Sequence, residues 1–178
     1  MDERRSIVQT LYEGMWKVID QVLVLLCGIM VVAVFLQVIF RYVIHFSLSW
    51  SEELARYTFT WLAMLGAAVA VRRHAHFTLE VLVRWLPARI AGSLIVLGGL
   101  GILAFLLVLT VQGVLWAIAY SDMVSPAMQI GYYLVVASVP VSAGLMMVES
   151  TRQLVMAIVR VRRGQPVFES TTETPTVS

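Results

Sequence analysis

Three histidines, one cysteine and a few clustered charges are all this sequence offers for chemistry, and their spacing decides what that chemistry can be. His45, His74 and His76 fall in polar connections between apolar runs. His74-x-His76 could touch a metal, but without a third ligand a solvated pair at a membrane interface is the simpler reading. Paired histidines inside a bundle, which a haem requires, are missing. Cys27 is single, so no disulfide, CxxC redox pair or thiolate cluster can form within one chain. Serine and histidine offer no nucleophile–base arrangement. The densest charges are Arg41, Glu52, Glu53 and Arg56 at one end of an apolar hairpin, with Arg72 and Arg73 at the other. Mixed charges in this pattern make ion pairs and contacts, not a catalytic centre. The residues point to no catalysis, no cofactor and no metal. A net charge of +2 is too small to point to nucleic acid.

The elements that carry these residues are set by composition. Of 178 residues, 60% are hydrophobic and 13% charged, against about 25% charged in a soluble domain. Mean hydropathy is +0.85. The charges cluster, and the runs between them are long enough to cross a bilayer. The reading is an all-α integral membrane protein, a four-helix bundle with short interfacial amphipathic helices. Its spans are expected at about 18–40, 52–71, 90–119 and 132–148, within a membrane domain covering 18–163. Residues 1–17 form a cytoplasmic or interfacial segment, and the first span is read as uncleaved rather than as a signal peptide. Ser49-Trp50-Ser51-Glu52 fits a capping box at the start of the second span. Glu52 and Arg56 are four apart on one helix face. Ala63, Ala67 and Ala70 form a small-residue stripe, with Gly66 and Ala70 at the same spacing, which predicts a packing seam. Residues 72–89 are basic and amphipathic and suit a segment lying in the interface. In the third span Gly98, Gly99 and Gly101 mark a close-packing or flexible point, and Gln112 is the one strongly polar interior residue. Pro140 is expected to bend the fourth span, with Ser138 and Ser142 compensating for the lost hydrogen bond. The tail, 164–178, reads as a disordered cytoplasmic segment.

With four spans, eleven of the thirteen basic residues fall on one side, leaving Arg41 and Arg56 on the other. The positive-inside rule then makes both termini cytoplasmic, with Arg72 and Arg73 as orientation determinants. No span carries an ionisable group near its middle, as an autonomous ion-coupled carrier or small exporter requires. What remains is an accessory or scaffold subunit whose functional surface is protein contact. An anchor subunit of a respiratory or redox complex is the alternative.

The order of residues over 41–87 narrows this further. Arg41-Tyr42, Leu48-Ser49-Trp50-Ser51-Glu52-Glu53-Leu54-Ala55-Arg56-Tyr57, Trp61, Leu65-Gly66-Ala67-Ala68, Val71-Arg72-Arg73, His76 and Leu86-Pro87 together resemble the small membrane subunit (DctQ-like) of tripartite ATP-independent periplasmic (TRAP) transporters. The second half resembles it more loosely. The resemblance implies a bacterial inner-membrane, multi-pass subunit that does no chemistry and scaffolds a large multi-span subunit. Secondary, sodium-coupled uptake of an organic acid delivered by a periplasmic substrate-binding protein is implied with it. Partners are then those two proteins and membrane lipid. Two roles are open to Arg41, Glu52, Glu53 and Arg56: an internal pairing of Arg41 with Glu52 or Glu53 across the hairpin, or contact with a partner subunit. Trp50 and Trp61 are interface-belt aromatics or subunit contacts, with the belt the default for Trp50.

Overall fold

The computed structural model describes residues 2–46, 48–74 and 88–162. They form five helices: α1 Asp2–Tyr42, α2 Ser49–His74, α3 Ala88–Ala119, α4 Tyr133–Val136 and α5 Ser138–Arg162. Among the described residues there is no strand, only an isolated bridge between Val124 and Gly131. Four segments are long and apolar enough to cross a membrane: Gln9–Tyr42, Ser49–Arg73, Val96–Ala119 and Tyr133–Val159. The interfacial segment expected over 72–89 lies largely outside the described residues, as does the tail.

α1 contains no proline and runs unbroken through position 17 for 41 residues. At ~1.5 Å per residue that is roughly twice a hydrocarbon core, so one helix serves as both amino-terminal segment and first span. It closes at a turn in which the Phe46 amide donates to the Phe40 carbonyl (3.0 Å) and His45 takes φ 59°, a left-handed conformation uncommon for a side-chain-bearing residue. α2 starts at Ser49 itself, so the expected capping box does not form. The Leu48 carbonyl instead accepts from the Ser51 hydroxyl (2.8 Å) and amide (3.2 Å), and Glu52 is engaged by Arg56.

The fourth span is in two pieces. Pro140 has no amide to donate, and the helical ladder is interrupted at Ala137, although the backbone there stays right-handed (φ −60°, ψ −20°). Ser138 donates to the Val135 carbonyl (2.6 Å). That is not the Val136 carbonyl four residues before Pro140, and the buried Ser142 hydroxyl has no partner among the described residues, so neither serine replaces the lost bond.

Among the described residues the helices pack in a row rather than a closed ring: α1 lies on α2, α2 on α5, and α5 on α3, with little contact between α1 and α3. Trp16, Ala68, Val69, Leu106 and Met146 form the thin core along this row. Only 6% to 28% of the most apolar stretch of each span is buried within the chain, which leaves two broad apolar faces uncovered. The seam on α2 is made by Leu65, Ala68 and Val69. The Ala63, Ala67 and Ala70 stripe is exposed, and a side chain at Gly66 would meet nothing within 4 Å, so the expected seam is not the one this chain uses on itself.

Of the three clustered glycines of the third span, Gly99 alone is close-packed, against the tip of Leu154. The tighter approach is at Gly113. A Cβ there would stand 2.8 Å from Pro140 Cδ and 3.1 Å from its backbone nitrogen. A proline ring cannot rotate away, so Gly113→Ala is expected to force α3 and α5 apart. The cost is about 1–3 kcal/mol of stability, read as a lower melting temperature. Gly99→Ala meets a flexible Leu154 tip and is expected to cost less.

Candidate functional site

Glu53, Tyr57 and Trp61 recur every four residues on α2 and therefore share one face. That face meets the connection between the third and fourth spans. The connection is a compact turn in which the Ser125 amide donates to Ile130 O (2.9 Å), the Tyr132 amide to Met123 O (2.8 Å), and Gln129 takes φ 55°. Its inward groups converge on one carboxylate. The Ser125 hydroxyl donates to Glu53 Oε2, as does the Met128 amide (3.0 Å), and the Ala127 amide donates to Oε1 (3.2 Å). Ser125 is fully buried and Glu53 is 9% exposed. One turn further along α2, Tyr57 meets Tyr132 edge-to-face at 6.0 Å, and the next turn carries the Trp61 indole, which donates to Leu134 O (3.1 Å). Three residues of one helix face thus hold the α3–α4 connection and the start of the fourth span.

The other residues of the charged end sit differently. Glu52 and Arg56 pair at 3.0 Å on a neighbouring, exposed face of α2. Arg41 is exposed and makes no ion pair among the described residues. The Arg41 pairing expected across the hairpin is therefore absent, because both glutamates are committed elsewhere: Glu52 to Arg56, Glu53 to the loop. Trp50 is 43% exposed, and Phe46 and Ile44, at the same end of the hairpin, are more exposed still.

A second polar knot lies at the far end of the row. The Glu149 carboxylate, fully buried, accepts from the Tyr12 hydroxyl, from Arg152 Nη2 (2.6 Å) and from Gln153 Nε2 (2.8 Å). Gln153 also donates to Val71 O (3.2 Å), so α1, α2 and α5 meet here. Arg73 pairs with Asp20 at 3.4 Å. Arg72 lies over the rings of Tyr12 (5.5 Å) and Trp16 (5.0 Å), and Arg152 over Tyr12 (5.2 Å). Arg72 and Arg73, read from sequence as orientation determinants, thus also contact α1. Sequence reasoning missed Tyr12, Trp16, Glu149, Arg152 and Gln153. The signals available were the four-residue spacing of Tyr12, Trp16 and Asp20, and an acidic residue where an apolar run ends.

Both clusters are hydrogen-bond networks that join helices. Among the described residues no group of three histidine, cysteine or acidic side chains could hold a metal. The arrangement defines a multi-pass membrane protein whose polar residues fix its own helices and shape its two ends. A family model described as "Tripartite ATP-independent periplasmic transporters, DctQ component" matches residues 30–162. The chain belongs to this family, whose members are bacterial inner-membrane transporter subunits and not enzymes. Among curated relatives it is similar to a putative TRAP transporter small permease protein of Haemophilus influenzae, 41% identical over 39% of this chain and 45% of that protein. It is also similar to the C4-dicarboxylate TRAP transporter small permease protein DctQ of Vibrio cholerae, 35% identical over 35% of this chain and 27% of that protein. The isethionate TRAP transporter permease protein DctMQ of Oleidesulfovibrio alaskensis is 30% identical over 59% of this chain. The match is only 17% of that longer protein. The chain thus spans less than half the length of each of these relatives.

Proposed function

We propose that this chain is the small permease subunit of a TRAP transporter and acts as a scaffold for a larger, multi-span transport subunit. The open row of helices carries this reading. Two broad apolar faces bury little within the chain, so there is surface for another membrane protein as well as for lipid. Longer relatives, in which the similar segment is 17% of the isethionate permease and 9% of the sialic acid TRAP transporter permease SiaT of Haemophilus influenzae, support a partner considerably larger than this chain. The substrates in the relatives' names are isethionate, sialic acid and C4-dicarboxylates, all organic acids, and this supports an organic acid as cargo. In this reading a periplasmic binding protein delivers the acid, uptake is secondary and sodium-coupled, and the coupling sites belong to the large subunit. Both termini are cytoplasmic, and the end bearing Arg41, Trp50, Glu52 and Arg56 faces the periplasm.

The test is purification of the tagged chain from its native membrane. Stoichiometric recovery of a multi-span permease is expected; recovery of the chain alone, itself active in liposomes, would overturn the scaffold role. Arg41 gives a sharper result. Having no internal ion pair, Arg41→Ala is expected to leave the melting temperature of the isolated chain unchanged while lowering the yield of the complex and uptake. Normal yield and uptake would remove Arg41 from the intersubunit surface.

A further inference from the structure

The charges at the Glu149 end do not balance. Arg73 is matched by Asp20, and Arg152 by Glu149, but Arg72 has no carboxylate within ion-pair distance among the described residues. Cation–π contact with Tyr12 and Trp16 holds the Arg72 guanidinium in place without neutralising it, since the rings carry no net charge. Among the described residues no oxygen acceptor meets the Arg72 N–H groups. Arg152, on the same Tyr12 ring, has Nη1 with no better contact than Met156 Sδ at 3.9 Å. The buried Trp16 indole N–H also has no partner among the described residues. Every deficit in this region is of acceptors and negative charge.

Position decides which acceptor would come. Arg72 is the penultimate residue of the second span, Tyr12 and Trp16 lie in the first two turns of the first, and Arg152 lies two turns from the end of the fourth. The deficit therefore sits at the level where lipid headgroups lie, between helices α1, α2 and α5 rather than on a loop. Basic recesses between spans at this level recognise anionic lipid headgroups. We propose that Arg72 and Arg152, held against Tyr12 and Trp16, form a binding site for the phosphodiester headgroup of an anionic glycerophospholipid. The lipid supplies the missing charge and fills the junction of three helices.

Native mass spectrometry of the purified full chain, titrated with phosphatidylglycerol or phosphatidylcholine, tests this. One phosphatidylglycerol is expected to be retained in preference to phosphatidylcholine. Arg72→Gln is expected to lower its occupancy roughly tenfold, as losing a charge-assisted hydrogen bond predicts. Arg72→Lys, which keeps the charge but not the planar guanidinium with its five donors, is expected to fall between the two. Arg73→Gln removes the same formal charge from a residue already paired with Asp20 and is expected to leave retention unchanged. Equal losses in Arg72→Gln and Arg73→Gln would mean diffuse surface charge and overturn the site. So would equal retention of the two lipids. Displacement of phosphatidylglycerol by millimolar inorganic phosphate would identify a free-phosphate site instead and overturn the lipid assignment.

Discussion

Glu53→Ala is expected to release the connection between the third and fourth spans and to lower uptake roughly tenfold, whereas Glu52→Ala leaves it near normal. The two glutamates are adjacent in sequence and opposite in circumstance. Glu52 shares an exposed pair with Arg56, which solvent replaces at little cost. Glu53 is the acceptor for three donors of one turn, two of them backbone amides: that of Ala127 has no other bond within the loop, and that of Met128 also reaches Ser125 Oγ (3.3 Å). Removing it leaves the fully buried Ser125 hydroxyl without an acceptor and the Ala127 amide without a partner, while the Met128 amide keeps only Ser125 Oγ. Glu53→Gln keeps one acceptor oxygen but turns an N–H group toward other N–H groups, so an intermediate defect is expected. Limited proteolysis at 123–132 reads the loop directly, beside uptake and the melting temperature of the purified complex. If Glu53→Ala matched Glu52→Ala in all three, the carboxylate would not be what holds the loop.

The contrast between these glutamates marks how far the sequence could be read. Helix number, apolar character and the ends at which charges collect follow from composition and local spacing, because a bilayer imposes length and hydropathy on each span independently. The pairing of Glu52 with Arg56 was legible for the same reason, since it lies within one helical turn. What Glu53 binds was not, because its partner Ser125 is 72 residues away and no local rule names the loop that will return to a given helix face. The spacing of Glu53, Tyr57 and Trp61 announced a shared face but not its occupant. The alanine stripe misled in the converse way. Small residues at Ala63, Ala67 and Ala70 permit a close approach by some helix, and in this chain that face is left open. Whether a closed bundle or a row forms depends on which faces pair, which is likewise non-local.

The buried end of the fourth span gives the largest expected effect on stability. Glu149→Ala is expected to destabilise the chain by about 2–3 kcal/mol, below the ~3–5 kcal/mol usual for breaking a buried ion pair. The discount follows from Arg152, whose side chain is 45% exposed and can recover water once its partner is gone. The Tyr12 hydroxyl and the Gln153 amide lose their acceptor as well, and the Tyr12 bond joins residues 137 positions apart, so it is what ties the amino-terminal part of α1 to the last span. A fall of roughly 5–10 °C in melting temperature corresponds to this loss for a chain of this size. Glu149→Gln retains one acceptor for Tyr12 and is expected to recover part of it. Tyr12→Phe removes that bond and leaves the Arg152 pair intact, so it is expected to loosen α1 with a smaller change in melting. Hydrogen exchange over 9–20 separates these outcomes. If α1 stayed equally protected in Glu149→Ala, the knot would be a passive consequence of the packing of Trp16 against Ala68 and Val69, and the helices would hold without it.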